Sequence, residues 1–315
     1  MKKKFSIKIV YLIFIIFYSS SIAAFSASIQ IITKVNNEII TNVDVIIEAR
    51  YLSALNKDLK KLNKIDLENI AKESLIKEKI KFSEIKKYYK FDEFNDDKLI
   101  NSVLSNIYNL LNIENLDSFK KYLVENNLEF NDVKKKIKIE LLWNQLVARL
   151  YGNQVYVDKE KIKKNIEEKK LNIKKSIQYD LSEIIFEIKD GQKLEDVYNE
   201  ILNSINEVGF NSTANKFSIS DSAKIGGQIG SINRNQLSQL ISDKLNEISV
   251  NEITKPIKVG AGYLILKIND IQENESLVDE KQLFKQLINS ERQRQFNQYS
   301  LIFYNKVKLN TVYND

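Results

Sequence analysis

Apolar residues recur at Leu194, Val197, Ile201, Ile205 and Val208, the three- and four-residue spacing of one amphipathic helix. Phe210 to Phe217 predicts a second, shorter helix after it, and Leu237 to Ile248 a third. The stretches on either side read differently. Gln178 to Ile188 alternates apolar and polar positions, as a strand with one buried face does, and Tyr263 to Ile268 predicts a closing strand. Helices packed on a small antiparallel sheet make an α+β unit, which the pattern bounds at residues 171–275.

The residues before that unit are mostly helical in period. Ile29 to Val35 and Glu38 to Thr41 are β-prone runs around Asn36-Asn37, and asparagine tolerates the positive φ of a tight hairpin. From Asn42 or Asp44 onward the pattern turns helical for about a hundred residues. Asp66 is a candidate N-cap for a helix running to about Tyr89. Val133, Ile137 and Leu141 recur four apart, as do Leu142, Leu146 and Leu150, which predicts a core helix with a broad apolar face. The run Lys134-Lys135-Lys136 on that helix predicts a solvated face, and Trp143 a core or groove anchor. Lys169 to Ser176 and Glu273 to Glu280 are candidate hinges.

Composition narrows the chemistry. One proline and eight glycines in 315 residues suit long helices better than a many-turned sandwich. The net charge of +6 is a modest lysine excess. It lacks the clustered arginines and aromatics of a nucleic-acid site, so no nucleic-acid partner is expected. With no cysteine there are no disulfides, no thiolate catalysis and no cysteine-held metal. With no histidine the commonest metal ligand and general base near neutral pH are gone too. No Walker-type phosphate loop is present, and no cofactor is expected.

Met1-Lys2-Lys3-Lys4 followed by the apolar run Ile9 to Phe17 resembles a secretory signal, with small residues at Ser19 to Ala24 and Ser26 to Ser28. That run is short of the roughly 20 residues that span a bilayer. A cleaved signal over residues 1–26 is expected, with cleavage after Ala23 or Ser26 and no membrane insertion thereafter; an uncleaved anchor is the alternative.

The stretch Asp221-Ser222-Ala223-Lys224-Ile225-Gly226-Gly227-Gln228-Ile229-Gly230, followed by Lys255-Pro256-Ile257-Lys258-Val259-Gly260-Ala261-Gly262-Tyr263-Leu264, carries its glycines and proline as parvulin-type (PpiC) prolyl isomerases do. Three further segments are Val35-Asn36-Asn37-Glu38-Ile39-Ile40 followed by Asp44, Asn131 to Glu140, and Tyr304 to Leu309. In this order they resemble the opening, pre-isomerase and closing segments of SurA-type periplasmic chaperones. The resemblance implies a mostly helical, discontinuous chaperone module at residues 27–170, an inserted or following parvulin-like domain at 171–275, and a segment at 276–315 that packs back on the module.

By the same resemblance, the first family histidine falls at Glu183 and the second at Leu264. The apolar shelf falls at Ile229 and Leu237. Prolyl isomerisation faces an amide barrier of roughly 18–20 kcal/mol and needs an apolar slot plus stabilisation of a twisted amide. An ionised glutamate has no donor and leucine no polar atom, so this pair cannot rebuild a pair of histidines. The resemblance implies an ATP-independent periplasmic chaperone that binds unfolded outer-membrane β-barrel precursors or other exported polypeptides. Its parvulin-like domain is expected to have weak or no isomerase activity. An active isomerase is the alternative. Glu183 as a plain solvated strand residue, and Ile229 and Leu237 as plain core, are the simpler readings of those positions.

Overall fold

The computed structural model describes residues 28–169, 176–189, 191–260, 262–274 and 280–314. The expected signal segment lies outside them, as do the central residues of both candidate hinges. Among the described residues no helix is long and apolar enough to cross a membrane.

Strands β1 (Ile31–Val35) and β2 (Glu38–Thr41) form an antiparallel hairpin, with Asn36 at φ 51° in its turn. Five helices follow: α1 (Asn42–Leu55), α2 (Lys64–Ile85), α3 (Asp97–Leu110), α4 (Leu116–Glu125) and α5 (Phe130–Tyr151). Thr41 caps α1 by a capping box with Asp44, so the hairpin runs straight into the first helix. One apolar cluster joins Val35 and Ile40 of the hairpin to Leu52, Ile76, Leu104, Phe119 and Ile137. Helix α6 (Lys159–Lys169) leads away from it.

Several expectations need correction here. The N-cap of α2 is Asn63, whose side chain accepts from the Asp66 N–H, and Asp66 sits one turn inside a helix that ends at Ile85. Both residue types cap helices, and only the local geometry separates them. Leu150 is 38% exposed and so does not extend the buried face of α5. The lysine run is not uniformly solvated. Lys136 lies between Glu48 and Glu78, at 2.5 and 2.6 Å. Burial alone would depress its pKa, but the two carboxylates hold it above the usual lysine range.

The second sheet has the order β4-β3-β6-β5. Its members are β3 (Ser176–Phe186), β4 (Gln228–Asn233), β5 (Ile257–Val259) and β6 (Gly262–Asn274), all antiparallel. The first strand thus stops at Phe186, and the closing strand runs on to Asn274. Helices α7 (Leu194–Val208) and α8 (Phe210–Phe217) match their predicted bounds and cover one face, packing on Ile184, Phe186 and Ile265. The other face carries Leu181, Leu264, Leu266 and Ile268 under Leu245 of α9 (Gln239–Asn246). That helix is shorter than predicted: Ser238 caps it and Leu237 stays outside.

The long helix α10 (Glu280–Leu309) returns to the helical module, and β7 (Tyr313–Asn314) adds to β1 as a third strand. The contact is aromatic. Trp143 of α5 stacks on Phe303 at 4.9 Å, Tyr151 stacks on Tyr299 at 4.9 Å, and the Trp143 Nε1–H donates to Ser300 Oγ at 2.8 Å. Trp143 is fully buried and is the only tryptophan in the sequence. Phe303→Ala should therefore lower stability by about 3–5 kcal/mol and red-shift the Trp143 emission, both readable in one urea titration followed by fluorescence.

Candidate functional site

Alternation along β3 sends Ile184 and Phe186 toward α7 and α8, and places Leu181, Glu183 and Ile185 on the opposite face. On β6 the partner of Ile185 is Leu264 and the partner of Glu183 is Leu266. Glu183 and Leu264 thus share a face diagonally and are not directly opposed. Ile229 comes from β4, and Leu237 from the segment just before α9. All four positions singled out in the sequence line one cleft of about 1730 Å³.

The two walls of this cleft differ in chemistry. The sheet side is apolar, with Ile185, Ile229, Leu237, Ile257, Leu264 and Leu266. The facing wall comes from α10 and α6, and α10 supplies mainly amides and hydroxyls: Asn289, Ser290, Gln293, Asn297 and Gln298. The same wall ends in Leu283, Leu287 and Leu301. Gly260 sits so close to α10 that a Cβ there would fall 2.7 Å from Gln298 Nε2. The four-stranded sheet and the returning helix therefore enclose the cleft together.

Glu183 is not a free surface carboxylate. Its Oε1 accepts from Ser220 Oγ at 2.6 Å and from Ser222 Oγ at 2.9 Å, and the two hydroxyls lie 3.0 Å apart. Its backbone N–H donates to the Gly227 carbonyl at 2.7 Å. Gly227 has φ +78°, and a Cβ there would stand 2.3 Å from the Glu183 carbonyl oxygen, so only glycine permits this approach. Burial pushes the Glu183 pKa up, the two serine hydroxyls oppose that shift, and the Asp221 charge adds to it.

Asp221, the residue between those serines, faces the other way. Asp221 Oδ1 accepts from Lys81 Nζ at 2.8 Å and pairs with Lys77 Nζ at 3.1 Å. Lys77 Nζ also donates to the Ile219 carbonyl at 2.9 Å. Lys224 Nζ reaches Glu140 Oε1 at 2.7 Å, and Lys81 reaches Glu140 Oε2 at 2.5 Å. Burial works against the charge on Asp221, yet Lys81, Lys77 and Lys224 hold its carboxyl well below the usual range. The sequence reading missed Ser220, Lys77, Lys81 and Glu140. The one available signal was the Ser-Asp-Ser alternation at 220–222, which puts hydroxyls and carboxylate on opposite sides of the chain.

A carboxyl whose folded pKa is raised stabilises the protein below its unfolded pKa, and that contribution fades as pH rises through the folded value. Glu183→Gln keeps the acceptor for both serines and removes the buried charge. It should raise the thermal midpoint at pH 7, and the gain should shrink toward zero as pH falls to about 4. Paired melting curves across that range check the sign.

Residues 183–270 match the family model "Rotamase: PPIC-type PPIASE domain". "Chaperone SurA" of Pseudomonas putida is 26% identical over 165 residues, 49% of this chain and 38% of that protein. "Chaperone SurA" of Pseudomonas aeruginosa is 20% identical over 173 residues, 52% of this chain and 41% of that protein. The chain thus spans well under two thirds of these relatives. Among solved structures, a SurA-like chaperone of Campylobacter jejuni superposes with TM-score 0.34 at 15% identity, covering 90% of this chain and 98% of that one. The peptidylprolyl isomerase PrsA of Bacillus anthracis gives TM-score 0.30 at 18% identity, covering 76% and 98%. TM-scores this low carry no argument, and the family reading rests on the sequence matches. Residues 183–270 thus resemble a PPIC-type rotamase domain, and the chain that carries them is similar over about half its length to the SurA chaperones.

Proposed function

We propose that this chain is an ATP-independent periplasmic chaperone for unfolded exported polypeptides, outer-membrane β-barrel precursors among them, and that its rotamase domain supplies a peptide-binding cleft with weak or no isomerase activity. The observation that carries this reading is the two-walled cleft itself. At about 1730 Å³ it exceeds the roughly 300–1,000 Å³ of small-molecule sites. An extended chain presents side chains to one side and backbone N–H and C=O groups across it. The apolar sheet wall suits the former, and the amide row of α10 can both donate to and accept from the latter. Barrel precursors alternate apolar and polar residues along their strands, which fits a cleft that sets a row of amides against an apolar sheet face.

Isomerisation asks for more. Stabilising a twisted amide takes polar groups aimed at the reacting bond, and Leu264 has none. One observation favours the alternative of a working isomerase. Glu183 brings a carboxyl to the apolar cleft, where it is hydrogen-bonded to two hydroxyls and burial pushes its pKa up. The two readings separate in two assays on the full chain lacking residues 1–26. Suppressed aggregation of an unfolded barrel protein at stoichiometric ratio, with no faster prolyl exchange on X–Pro peptides, supports the chaperone reading. Faster exchange that disappears in Glu183→Ala supports the isomerase. Ile229→Asp, which places a carboxylate on the apolar wall, should weaken client binding by about tenfold or more. An unchanged affinity would remove the cleft from the proposal.

A further inference from the structure

We propose that Lys77 and Lys81 of α2 and Glu140 of α5 are positioning residues for the cleft. By gripping Asp221 and Lys224 they fix the loop whose Ser220 and Ser222 hydroxyls hold Glu183. Docking of the rotamase domain on the helical module and the arrangement of its peptide site are then one event. The inference deepens the proposed function by naming what regulates that cleft, and it rests on that reading only for the identity of the peptide.

The geometry is a two-sided loop. Between Ile219 and Lys224 the chain alternates its allegiance. The carbonyl of Ile219, the carboxylate of Asp221 and the ammonium of Lys224 go to the helical module. The hydroxyls of Ser220 and Ser222 go to the cleft. The loop is anchored to the sheet by its backbone as well: Ile219 N–H donates to the Ile185 carbonyl at 2.7 Å and Gly227 N–H to the Ser222 carbonyl at 2.9 Å. A shift of Asp221 therefore cannot leave its two neighbours in place. A second bridge lies alongside, where Asn56 Nδ2 of the helical module donates to Asn215 Oδ1 of α8 at 2.7 Å.

The grip centres on a buried ammonium. Lys81 is 1% exposed, so its ammonium depends wholly on Glu140, Asp221 and the face of Trp143, whose ring centre is 5.6 Å away. Undocking the domain would strip Asp221 from that ammonium. By linkage, whatever favours the docked arrangement favours the ordered Ser220–Glu183–Ser222 cluster, and a peptide that binds the ordered cluster favours docking by the same factor.

The test reads Glu183 directly. The groups facing it are Ser220, Ser222 and Asp221 from the loop, and the charged side chains sharing the cleft are Asp158, Lys161, Lys258, Glu291 and Arg294. In the full chain with 13C-labelled glutamate, the side-chain carboxyl of Glu183, assigned by its loss in Glu183→Gln, is titrated by NMR. The wild type should titrate above the ordinary glutamate value of about 4.3. The double variant Lys77→Met/Lys81→Met should bring the midpoint down toward that value and weaken binding of a proline-containing peptide about tenfold. The sign is diagnostic. Removing two cations acts on a carboxylate electrostatically by raising its pKa, so a fall reports that the loop has opened and let in water. An unchanged or higher midpoint, with helical circular dichroism preserved, overturns the proposal.

Asp221→Asn serves as the second variant, being isosteric at a side chain that is 47% exposed. Amide hydrogen exchange at Gly227 and Glu183 should speed up at least tenfold in it while exchange along α7 stays constant; equal rates at Gly227 and Glu183 overturn the proposal equally. If the wild type binds no peptide, the proposed function fails, while the Glu183 midpoint still decides the coupling.

Discussion

An ammonium group shut away from water must find its counter-charges nearby, and Lys81 finds one on each side of a domain junction. Glu140 belongs to the helical module and Asp221 to the rotamase domain, so the solvation of one lysine requires both to be present. Replacing such a buried cluster with apolar residues is often neutral or stabilising, whereas removing one partner costs about 3–5 kcal/mol. The cluster therefore contributes geometry more than stability: it admits one docking arrangement and penalises displaced ones. A second triad, Lys136 of α5 with Glu48 of α1 and Glu78 of α2, lies within the helical module. Tyr51 stands beside it with its hydroxyl pKa pushed up to about 12 by burial. Helices α1, α2 and α5 are thus registered by charge as well as by packing.

The other constraint is the return of the chain. Helix α10 joins three regions: Leu283 and Leu287 at the cleft, Tyr299 and Phe303 on α5, and the chain beyond it beside β1. Its apolar residues consequently face different neighbours in succession. No single stripe at helical period results, which is why the sequence pattern shows no core face there. Where one face packs on one partner, as in α7 and α8, the period is regular and the predicted bounds coincide with the observed ones.

The same reasoning separates what could be read at the site from what could not. The family resemblance carried by the glycine and proline spacing leads to Glu183, Ile229, Leu237 and Leu264 because such motifs are local. The partners of Glu183 lie 37 and 39 residues downstream, and Asp221 is held by a lysine 140 residues upstream. Nothing in a run of lysines tells Lys136, closed between two carboxylates, from Lys134, which meets Asp97 at the surface. The misread N-cap of α2 has the same root on a smaller scale. Asn63 and Asp66 are equally good caps by type, and the hydrogen bond from Asp66 N–H to Asn63 decides between them.

Loss of histidine and retention of the fold are compatible once the roles of the site are separated. The apolar shelf depends on the strand faces and on α9, none of which needs an imidazole. The polar groups gathered at this site are a carboxyl and two hydroxyls. Those three groups are themselves ordered by a loop whose far side is held by the helical module. A glutamate that leans on a loop needs whatever holds the loop. Glu183 is therefore tied to the neighbouring module through the loop that carries Ser220, Asp221 and Ser222.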